Sequence, residues 1–169
     1  KAAGHLRISA AAVVKQQRYR RITFVSRTDS ARAPMAAEIL RQYELKQEYV
    51  VDSRGLVVLF PEPANQKAEA IMKSARMTLG DHVSRQFGEE NLQEDTLILT
   101  IDENQKNKIL SEYGTGYNVY TLNEFVGDST EIPDPYGQPL TAYGECFEVL
   151  RGLVKKLAEK LDSLVEEGL

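Results

Sequence analysis

Residues 24–38 constrain the fold of this chain more than any other feature, because an apolar run leads through small and polar residues into a helical pattern. Residues 22–25 predict a β-strand, and Pro34 suits the first turn of the helix that follows. A strand that passes through a tight loop into a helix N-terminus directs several backbone N–H groups at one point, where the helix dipole also favours an anion. Arg32, at the end of the loop, can add a guanidinium that matches two phosphate oxygens. The segment therefore predicts a phosphate-binding loop.

The same segment resembles the active-site loop of the low-molecular-weight protein tyrosine phosphatases, whose pattern Val-Cys-x-Gly-Asn-x-Cys-Arg-Ser-Pro-Met-Ala-Glu directly follows the first strand. The matching positions, the last one displaced by an extra alanine, are Val25, Arg32, Pro34, Met35, Ala36 and Glu38. A second signature of the family, Asp-Pro followed by an aromatic residue and often Gly, is matched by residues 134–137. Two motifs in the right order identify the chain as a member of this family.

The resemblance implies a role for each matching residue. In the family a thiolate attacks the phosphorus, the loop amides and the arginine hold the phosphoryl oxygens, and the Asp of the Asp-Pro motif protonates the leaving oxygen. Here Ser26 stands at the nucleophile position and Asp134 at the general-acid position, although Asp-Pro is also common turn chemistry. Tyr136 would flank the substrate or simply pack on the surface. The residues implied in phosphate binding are Arg27, Thr28, Asp29, Ser30, Ala31 and Arg32.

Five positions of the loop depart from the family pattern, and the nucleophile matters most. A serine hydroxyl is a far weaker acid than a thiol, and the helix N-terminus that ionises a cysteine cannot ionise Ser26. Asp29 replaces an asparagine and would repel phosphate unless its carboxylate faces away or is protonated. Thr28 replaces a glycine, and Ala33 replaces the serine that hydrogen-bonds the thiolate. Ala31 replaces the second cysteine, so the reversible disulfide that protects the family's nucleophile cannot form.

The composition indicates one ordinary globular domain. The chain has 169 residues, of which 42% are hydrophobic and 27% charged, and it is long enough to bury a substantial core. No apolar run approaches the roughly 20 residues that a membrane helix needs. The single cysteine, Cys146, excludes an internal disulfide and a cysteine-based metal cluster, and its helical spacing places it in the core. We expect a cytoplasmic protein with no metal and no other cofactor.

The charge of the chain is distributed unevenly. Residues 1–28 hold seven basic residues and no acidic ones, which leaves 14 basic and 25 acidic residues in the remainder. Such a basic arm can bind an anionic polymer or an acidic partner, or it can be a linker that folds back on the acidic body, and we favour the linker. We therefore divide the chain into a basic N-terminal extension, residues 1–19, and a single phosphatase-like domain, residues 20–169. No nucleic acid or membrane partner is expected.

Strand and helix patterns alternate along the chain. Strands are predicted at residues 21–25, 49–51, 96–101 and 118–122. Helices are predicted at residues 8–16, 34–47, 66–79, 103–113 and 141–167, with Asn65 as the cap of the third. The resemblance adds a helix at residues 81–86. This order predicts a three-layer α/β fold, in which a four-stranded parallel sheet is flanked by helices on both faces.

Three functions are compatible with these observations. The first, which we favour, is a phosphatase-like domain that binds phosphate or a phosphorylated protein side chain with impaired hydrolysis, because the nucleophilic cysteine is replaced. The second is an active phosphomonoesterase for phosphotyrosine or phosphoarginine, which would use Ser26 or an activated water with Asp134 as the general acid. The third is a protein-interaction module with a vestigial cleft. The sequence does not decide whether the chain is an enzyme.

Overall fold

A parallel sheet of four strands forms the centre of the computed structural model, which describes residues 19–167. The strands are β1 (Arg21–Ser26), β2 (Val50–Gly55), β3 (Thr96–Thr100) and β4 (Val119–Thr121), and their order across the sheet is β2-β1-β3-β4. All neighbouring pairs are parallel. Because β1 lies between two partners, the loop that follows it emerges in the middle of the sheet's carboxyl edge. The helix predicted at residues 8–16 lies outside the described residues.

Five helices flank the sheet in the described part of the chain. They are α1 (Arg32–Arg41), α2 (Gln66–Ser74), α3 (Glu103–Tyr113), α4 (Leu122–Val126) and α5 (Leu140–Glu167), with a 3-10 turn at Glu89–Asn91. One face of the sheet shares a large apolar core with α1, α2, α4 and α5, and the other face packs on α3. The predicted three-layer fold is confirmed. None of these helices is both long and apolar enough to cross a membrane.

The side chains of each strand alternate between the two cores, as the pleat of a β-strand requires. Phe24 and Leu99 face the larger core, whereas Val25 and Ile98 face α3. Every residue of β3 is buried, in agreement with its unbroken apolar run. Apolar residues of α5 recur at helical spacing from Tyr143 to Leu161 and fill the larger core.

The helices α2 and α3 begin at the residues that the sequence predicts. Asn65 caps α2, because its Oδ1 accepts the N–H groups of Lys67 at 2.8 Å and Ala68 at 3.1 Å. The predicted helix at residues 103–113 matches α3. By contrast, the short helix α4 has no counterpart in the prediction.

The first two helices and the second strand differ from the prediction in length, and α2 ends at Ser74 rather than at residue 79. α1 ends at Arg41 rather than near residue 47, because the next two N–H groups turn back onto carbonyls three residues earlier. β2 runs to Gly55 rather than ending at residue 51, because residues 53–55 pair with residues 24–26 of β1. Local hydrogen bonds end α1, whereas pairing with a distant strand extends β2.

The helix predicted at residues 81–86 is wrong. The backbone of this segment pairs with other parts of the chain instead of with itself: the Ser84 N–H donates to the Glu62 carbonyl, and the Arg85 carbonyl accepts the Gly55 N–H, both at 2.8 Å. Because these groups are already used, they cannot form the internal hydrogen bonds of a helix. The segment instead runs beside the loop that follows β1.

Residues 56–65 hold one side of the loop between β1 and α1. Their first two N–H groups donate to the carbonyls of Ser26 and Arg27 at 3.1 and 2.8 Å. At the other end, the Asn65 N–H donates to the Ser30 carbonyl at 2.8 Å. These hydrogen bonds fix the backbone of the loop at its start and near its end.

Gly55 lies in direct contact with the loop. A Cβ atom at this position would lie 2.7 Å from the Thr28 carbonyl carbon and 2.8 Å from the Asp29 nitrogen, which is closer than atoms that are not bonded to each other can approach. Only glycine therefore lets β2 approach the loop so closely.

Asp29 stabilises the loop between β1 and α1 through its backbone conformation and through hydrogen bonds to residues outside the loop. Its φ of 56° is a left-handed conformation that Asp adopts more readily than most residues. The carboxylate is fully buried, its Oδ2 accepts the Arg85 N–H at 2.9 Å, and the Asp29 carbonyl accepts a hydrogen bond from His82 Nε2 at 2.7 Å. Burial raises the pKa of the Asp29 carboxyl, and the contacts with Ser53, Arg85, His82 and Arg54 offset only part of this shift. The buried negative charge therefore opposes folding at neutral pH.

We expect Asp29→Asn to raise the free energy of unfolding at neutral pH, because an amide keeps the backbone conformation and the hydrogen bond from Arg85 but removes the buried charge. The unfavourable effect of the charge is absent below the ordinary carboxyl pKa of 3.8 and grows as the pH rises through the raised pKa of the folded state. The gain in stability should therefore disappear as the pH is lowered. Urea unfolding at a series of pH values measures both trends.

The matched control is Asp81→Asn, which removes an exposed carboxylate from the segment that contacts the loop. Its effect on stability should stay within about 0.5 kcal/mol at every pH. An Asp29→Asn variant no more stable than the wild type at neutral pH would show that the neighbouring groups compensate the buried charge completely.

Candidate phosphate-binding site

A cavity of about 230 Å³ opens where β1 passes into α1. Its wall is formed by the loop after β1, by the start of α2, by the Asp-Pro segment and by the first turns of α5. The lining residues are Ser26, Arg27, Thr28, Ser30, Ala31, Arg32, Asn65, Asp134, Pro135, Tyr136 and Tyr143. The fold thus brings the two sequence motifs together around one cavity.

The backbone of the loop supplies unpaired hydrogen-bond donors. The N-cap residue of α1 is Ala31, so no side chain caps this helix. The N–H groups of residues 27, 28 and 30–32 donate no hydrogen bond to any described residue. An uncapped helix N-terminus with several unpaired N–H groups attracts an anion.

Arg32 is held in the wall of the cavity by a bidentate ion pair. Its Nη1 and Nη2 atoms donate to the two carboxylate oxygens of Asp102 at 3.0 and 2.7 Å, and Nη1 also lies 3.5 Å from the Ile132 carbonyl. Only 7% of the Arg32 side chain is exposed. Its Nε–H donates to no residue within the described part of the chain. The protein itself therefore orients the guanidinium, and its Nε–H and one Nη2–H are left unused by the described residues.

Asp102 is fixed in turn at the start of α3. Its N–H donates to Gln105 Oε1 at 2.6 Å, and Gln105 Nε2 donates back to Asp102 Oδ2 at 3.1 Å. Asp102 follows β3, the neighbour of β1, and the carboxyl ends of parallel strands meet at one edge of a sheet. Asp102 therefore positions Arg32. Sequence reasoning did not assign a role to Asp102. The feature that could have identified it is the presence of a carboxylate just after a buried strand.

Asp134 lies at the mouth of the cavity. Its Oδ2 is 3.9 Å from Arg32 Nη2, and 65% of its side chain is exposed. Its Oδ1 accepts the Tyr136 N–H at 3.1 Å, so the residue also forms the turn expected of an Asp-Pro pair. Tyr136 is 83% exposed on the same rim. The carboxylate and the ring are both accessible to a group bound in the cavity.

Ser26 is the last residue of β1 and is 5% exposed. Its Oγ accepts the N–H of Asp29 at 3.1 Å. No side-chain base within residues 19–167 forms a hydrogen bond with this hydroxyl. The arrangement orients the Ser26 hydroxyl but does nothing to remove its proton.

Asp29 is the predicted phosphate-binding residue that does not line the cavity. Its carboxylate faces Arg85 on the far side of the loop, and its N–H is used by Ser26. The sequence analysis allowed for a carboxylate that faces away, and this is the arrangement found. We therefore correct the assignment of Asp29 from phosphate binding to support of the loop.

Sequence reasoning did not place Asn65, Tyr143 or His82 at or near the site. Asn65 and Tyr143 line the cavity, and burial raises the pKa of the Tyr143 hydroxyl, which therefore stays protonated at neutral pH. His82 contacts the loop through the Asp29 carbonyl, although no sequence motif connects the two. These residues are distant in sequence, and only the folded chain brings them to the loop.

The single cysteine of the chain is not among the residues that line the cavity. Cys146 is fully buried in α5, and burial raises the pKa of its thiol to about 12. Such a thiol is protonated at neutral pH. It cannot supply the thiolate that the loop lacks.

Comparisons with known sequences agree with this geometry. The model of the family described as low molecular weight phosphotyrosine protein phosphatase matches residues 21–167. The low molecular weight protein-tyrosine-phosphatase PtpB of Staphylococcus haemolyticus is 31% identical over 137 residues, which cover 81% of this chain and 96% of that protein.

Solved structures give the same result. YwlE arginine phosphatase from Geobacillus stearothermophilus matches with a TM-score of 0.77 and 29% identity, over 85% of this chain and 93% of that one. A Cys-to-Ser mutant of YwlE arginine phosphatase, with a phosphorylated active-site serine, matches with a TM-score of 0.75 and 29% identity, over 83% of this chain and 95% of that one. The family match spans almost all of the described residues, and this chain belongs to the low molecular weight phosphotyrosine protein phosphatase family.

Proposed function

We propose that the cavity binds phosphate and phosphorylated protein side chains, and that hydrolysis of the bound group is impaired. One observation carries this proposal: a neutral Ser26 hydroxyl stands beside an uncapped helix N-terminus and an oriented guanidinium. The donors that bind a phosphoryl group are present. The ionised nucleophile that would break its ester bond is absent among the described residues.

The backbone donors would supply most of the attraction for phosphate. A hydrogen bond to a charged group contributes about 1.5–3 kcal/mol, and five loop N–H groups are unpaired. Arg32 contributes less than a lone arginine would, because Asp102 already neutralises much of its charge. A dianion would therefore share the guanidinium with Asp102 and rely on the helix N-terminus.

Relatives suggest two kinds of phosphorylated side chain. The family description names phosphotyrosine, and one similar structure is an arginine phosphatase. The exposed ring of Tyr136 on the rim could pack against an aromatic ring or a guanidinium, so it suits either side chain. We retain both as candidate ligands.

The weakness of the nucleophile supports impaired hydrolysis. The hydroxyl of Ser26 has no base beside it, and Asp134 at the mouth of the cavity can donate a proton to a leaving group but does not touch Ser26. The phosphorylated serine of the YwlE mutant supports the view that a hydroxyl at this position can reach a bound phosphoryl group.

An active phosphomonoesterase is the second candidate, and the position of Asp134 favours it. A carboxylate 3.9 Å from Arg32, open to solvent, stands where a general acid is needed. The third hypothesis, an interaction module that binds a protein partner through the basic arm or the C-terminal helix, stays a prediction. Most of the basic arm lies outside the described residues.

We expect Arg32→Ala to weaken the binding of inorganic phosphate or vanadate by about tenfold to a hundredfold, the loss of one or two charge-assisted hydrogen bonds. Isothermal titration calorimetry measures the affinity. Because the substitution also leaves Asp102 without its partner, thermal unfolding should be followed in parallel.

Arg27→Ala is the matched control, since Arg27 lines the same cavity but is an exposed side chain without an ion pair in the described residues. Its effect on affinity should be less than about fivefold. Equal affinity of the folded Arg32→Ala variant and the wild type would contradict the proposed site.

We expect Ser26→Cys to give measurable hydrolysis of an aryl phosphate that the wild type lacks, because a thiol at this helix N-terminus can ionise. The activity should be partial, since Thr28, Asp29 and Ala33 still depart from the family pattern. Release of p-nitrophenol from its phosphate ester measures the rate.

The wild type and Ser26→Ala complete this comparison. Wild-type turnover well above background that disappears in Ser26→Ala would show that the serine is a working nucleophile and would favour the second candidate. Full activity of Ser26→Cys would show that the other three substitutions do not matter.

A further inference from the structure

We propose that Tyr143 is a further binding residue of the cavity, whose hydroxyl donates a hydrogen bond to the bound phosphoryl group. The inference rests on the proposed function, because the phosphoryl group must first bind between β1 and α1. It adds a neutral donor from α5 to the donors of the loop and of Arg32. It also gives Asn65 a second task, which is to hold the Tyr143 hydroxyl in place.

Tyr143 lies between the larger core and the cavity. It belongs to the first turns of α5, only 2% of it is exposed, and its ring packs among the residues of the larger core. The same residue lines the cavity together with Ser30, Arg32 and Asp134. A tyrosine buried in this way presents an apolar ring to the core and needs a hydrogen-bond partner for its hydroxyl. Packing therefore fixes the ring, and the hydroxyl is the polar group that the residue can offer to a ligand.

Asn65 holds the Tyr143 hydroxyl beside the loop. The Asn65 N–H donates to the Ser30 carbonyl at 2.8 Å, which ties Asn65 to the loop. Its side-chain Oδ1 already accepts the N–H groups of Lys67 and Ala68, so its amide NH₂ group is the part left for Tyr143. Burial raises the pKa of the Tyr143 hydroxyl, and the hydrogen bond with Asn65 offsets part of this shift, as a bond donated to the phenolic oxygen does. Asn65 is therefore the donor and Tyr143 Oη the acceptor.

The hydroxyl hydrogen of Tyr143 remains for another acceptor. Within residues 19–167 it has none, and Asp134 influences the hydroxyl through its charge without a hydrogen bond. The Asp134 carboxylate instead accepts the Tyr136 N–H at 3.1 Å and is largely exposed at the mouth of the cavity. An oxygen of a phosphoryl group in the cavity would supply the acceptor that the hydroxyl lacks.

A neutral donor suits the charge balance of this cavity. Asp102 neutralises much of the charge of Arg32, and Asp134 adds a negative charge at the mouth. A protonated hydroxyl contributes a hydrogen bond to a phosphoryl anion and needs no counter-charge of its own. Burial keeps the pKa of the Tyr143 hydroxyl raised, and a bound anion would raise this pKa further, so the donor persists at neutral pH.

We expect Tyr143→Phe to weaken the binding of inorganic phosphate by about tenfold, the loss of one hydrogen bond to a charged group. Isothermal titration calorimetry with the full chain measures the affinity. The ring and its packing remain, so thermal unfolding without phosphate should change little. A lower unfolding temperature with unchanged affinity would show that the hydroxyl has only a structural role, and would overturn the inference.

Tyr19→Phe is the matched control. Tyr19 is also a buried tyrosine, and burial raises the pKa of its hydroxyl to about 12, but it does not line the cavity. Its substitution should leave the affinity for phosphate unchanged. A loss in Tyr19→Phe equal to that in Tyr143→Phe would show that a buried hydroxyl acts through general stability, which also overturns the inference.

Asn65→Asp tests the task assigned to Asn65. An aspartate still caps α2, but its carboxylate accepts the Tyr143 hydrogen instead of donating to the phenolic oxygen. The substitution should therefore lower phosphate affinity more in the wild type than in Tyr143→Phe, because only the wild type has this hydrogen to lose. Equal losses in the two backgrounds would be explained by the added negative charge alone and would overturn the task of Asn65.

A crystal structure of the wild type soaked with inorganic phosphate gives a test that depends on no variant. The expected result is a phosphate oxygen about 2.5–3.0 Å from Tyr143 Oη. A phosphate that is bound by the loop N–H groups but lies beyond hydrogen-bond distance of Oη would overturn the inference.

The outcomes separate this inference from the proposed function. If the wild type and Tyr143→Phe bind phosphate equally well, the role of Tyr143 is overturned and phosphate binding stands. If the wild type does not bind phosphate, both proposals fail. Weaker binding by Tyr143→Phe, together with unchanged binding by Tyr19→Phe, supports both.

Discussion

The ion pair between Arg32 and Asp102 is the interaction on which the site depends. It joins the first turn of α1 to the start of α3, and so connects the carboxyl ends of the two central strands β1 and β3. Arg32 is almost fully buried, and a buried guanidinium without a partner would be strongly unfavourable. The ion pair with Asp102 therefore offsets the cost of burying the Arg32 guanidinium and also fixes its orientation.

The same pair would limit how the cavity attracts the anion proposed for it. The carboxylates of Asp102 and Asp134 lie 2.7 and 3.9 Å from Arg32 Nη2. The net charge of these three side chains is negative, so the backbone N–H groups must supply the positive potential. This explains why an unpaired loop backbone matters more here than the number of arginines, and why Asp29 must turn its carboxylate away.

Sequence patterns predicted the structure correctly wherever residues close together in sequence determine it. The strand–loop–helix at the start of the domain, the buried strand β3, the Asn65 cap and the amphipathic helix α5 all have local signals, and the structure contains each of them. The length of β2 and the conformation of residues 81–86 were not predictable, because hydrogen bonds to distant segments determine them. The same limit applies to the site. The loop identifies Ser26 and Arg32, but Asp102, Tyr143 and the direction of the Asp29 carboxylate depend on contacts between residues far apart in sequence.

The burial of Cys146 has a consequence for how this protein responds to oxidants. Peroxide and alkylating agents react with thiolates, and a fully buried thiol with a pKa of about 12 presents almost none. The loop between β1 and α1 contains no sulfur, and Met35 in the first turn of α1 is fully buried. The binding of phosphate proposed for this cavity would therefore not depend on a thiolate, in contrast to the activity of enzymes that oxidation of an exposed, ionised cysteine inactivates.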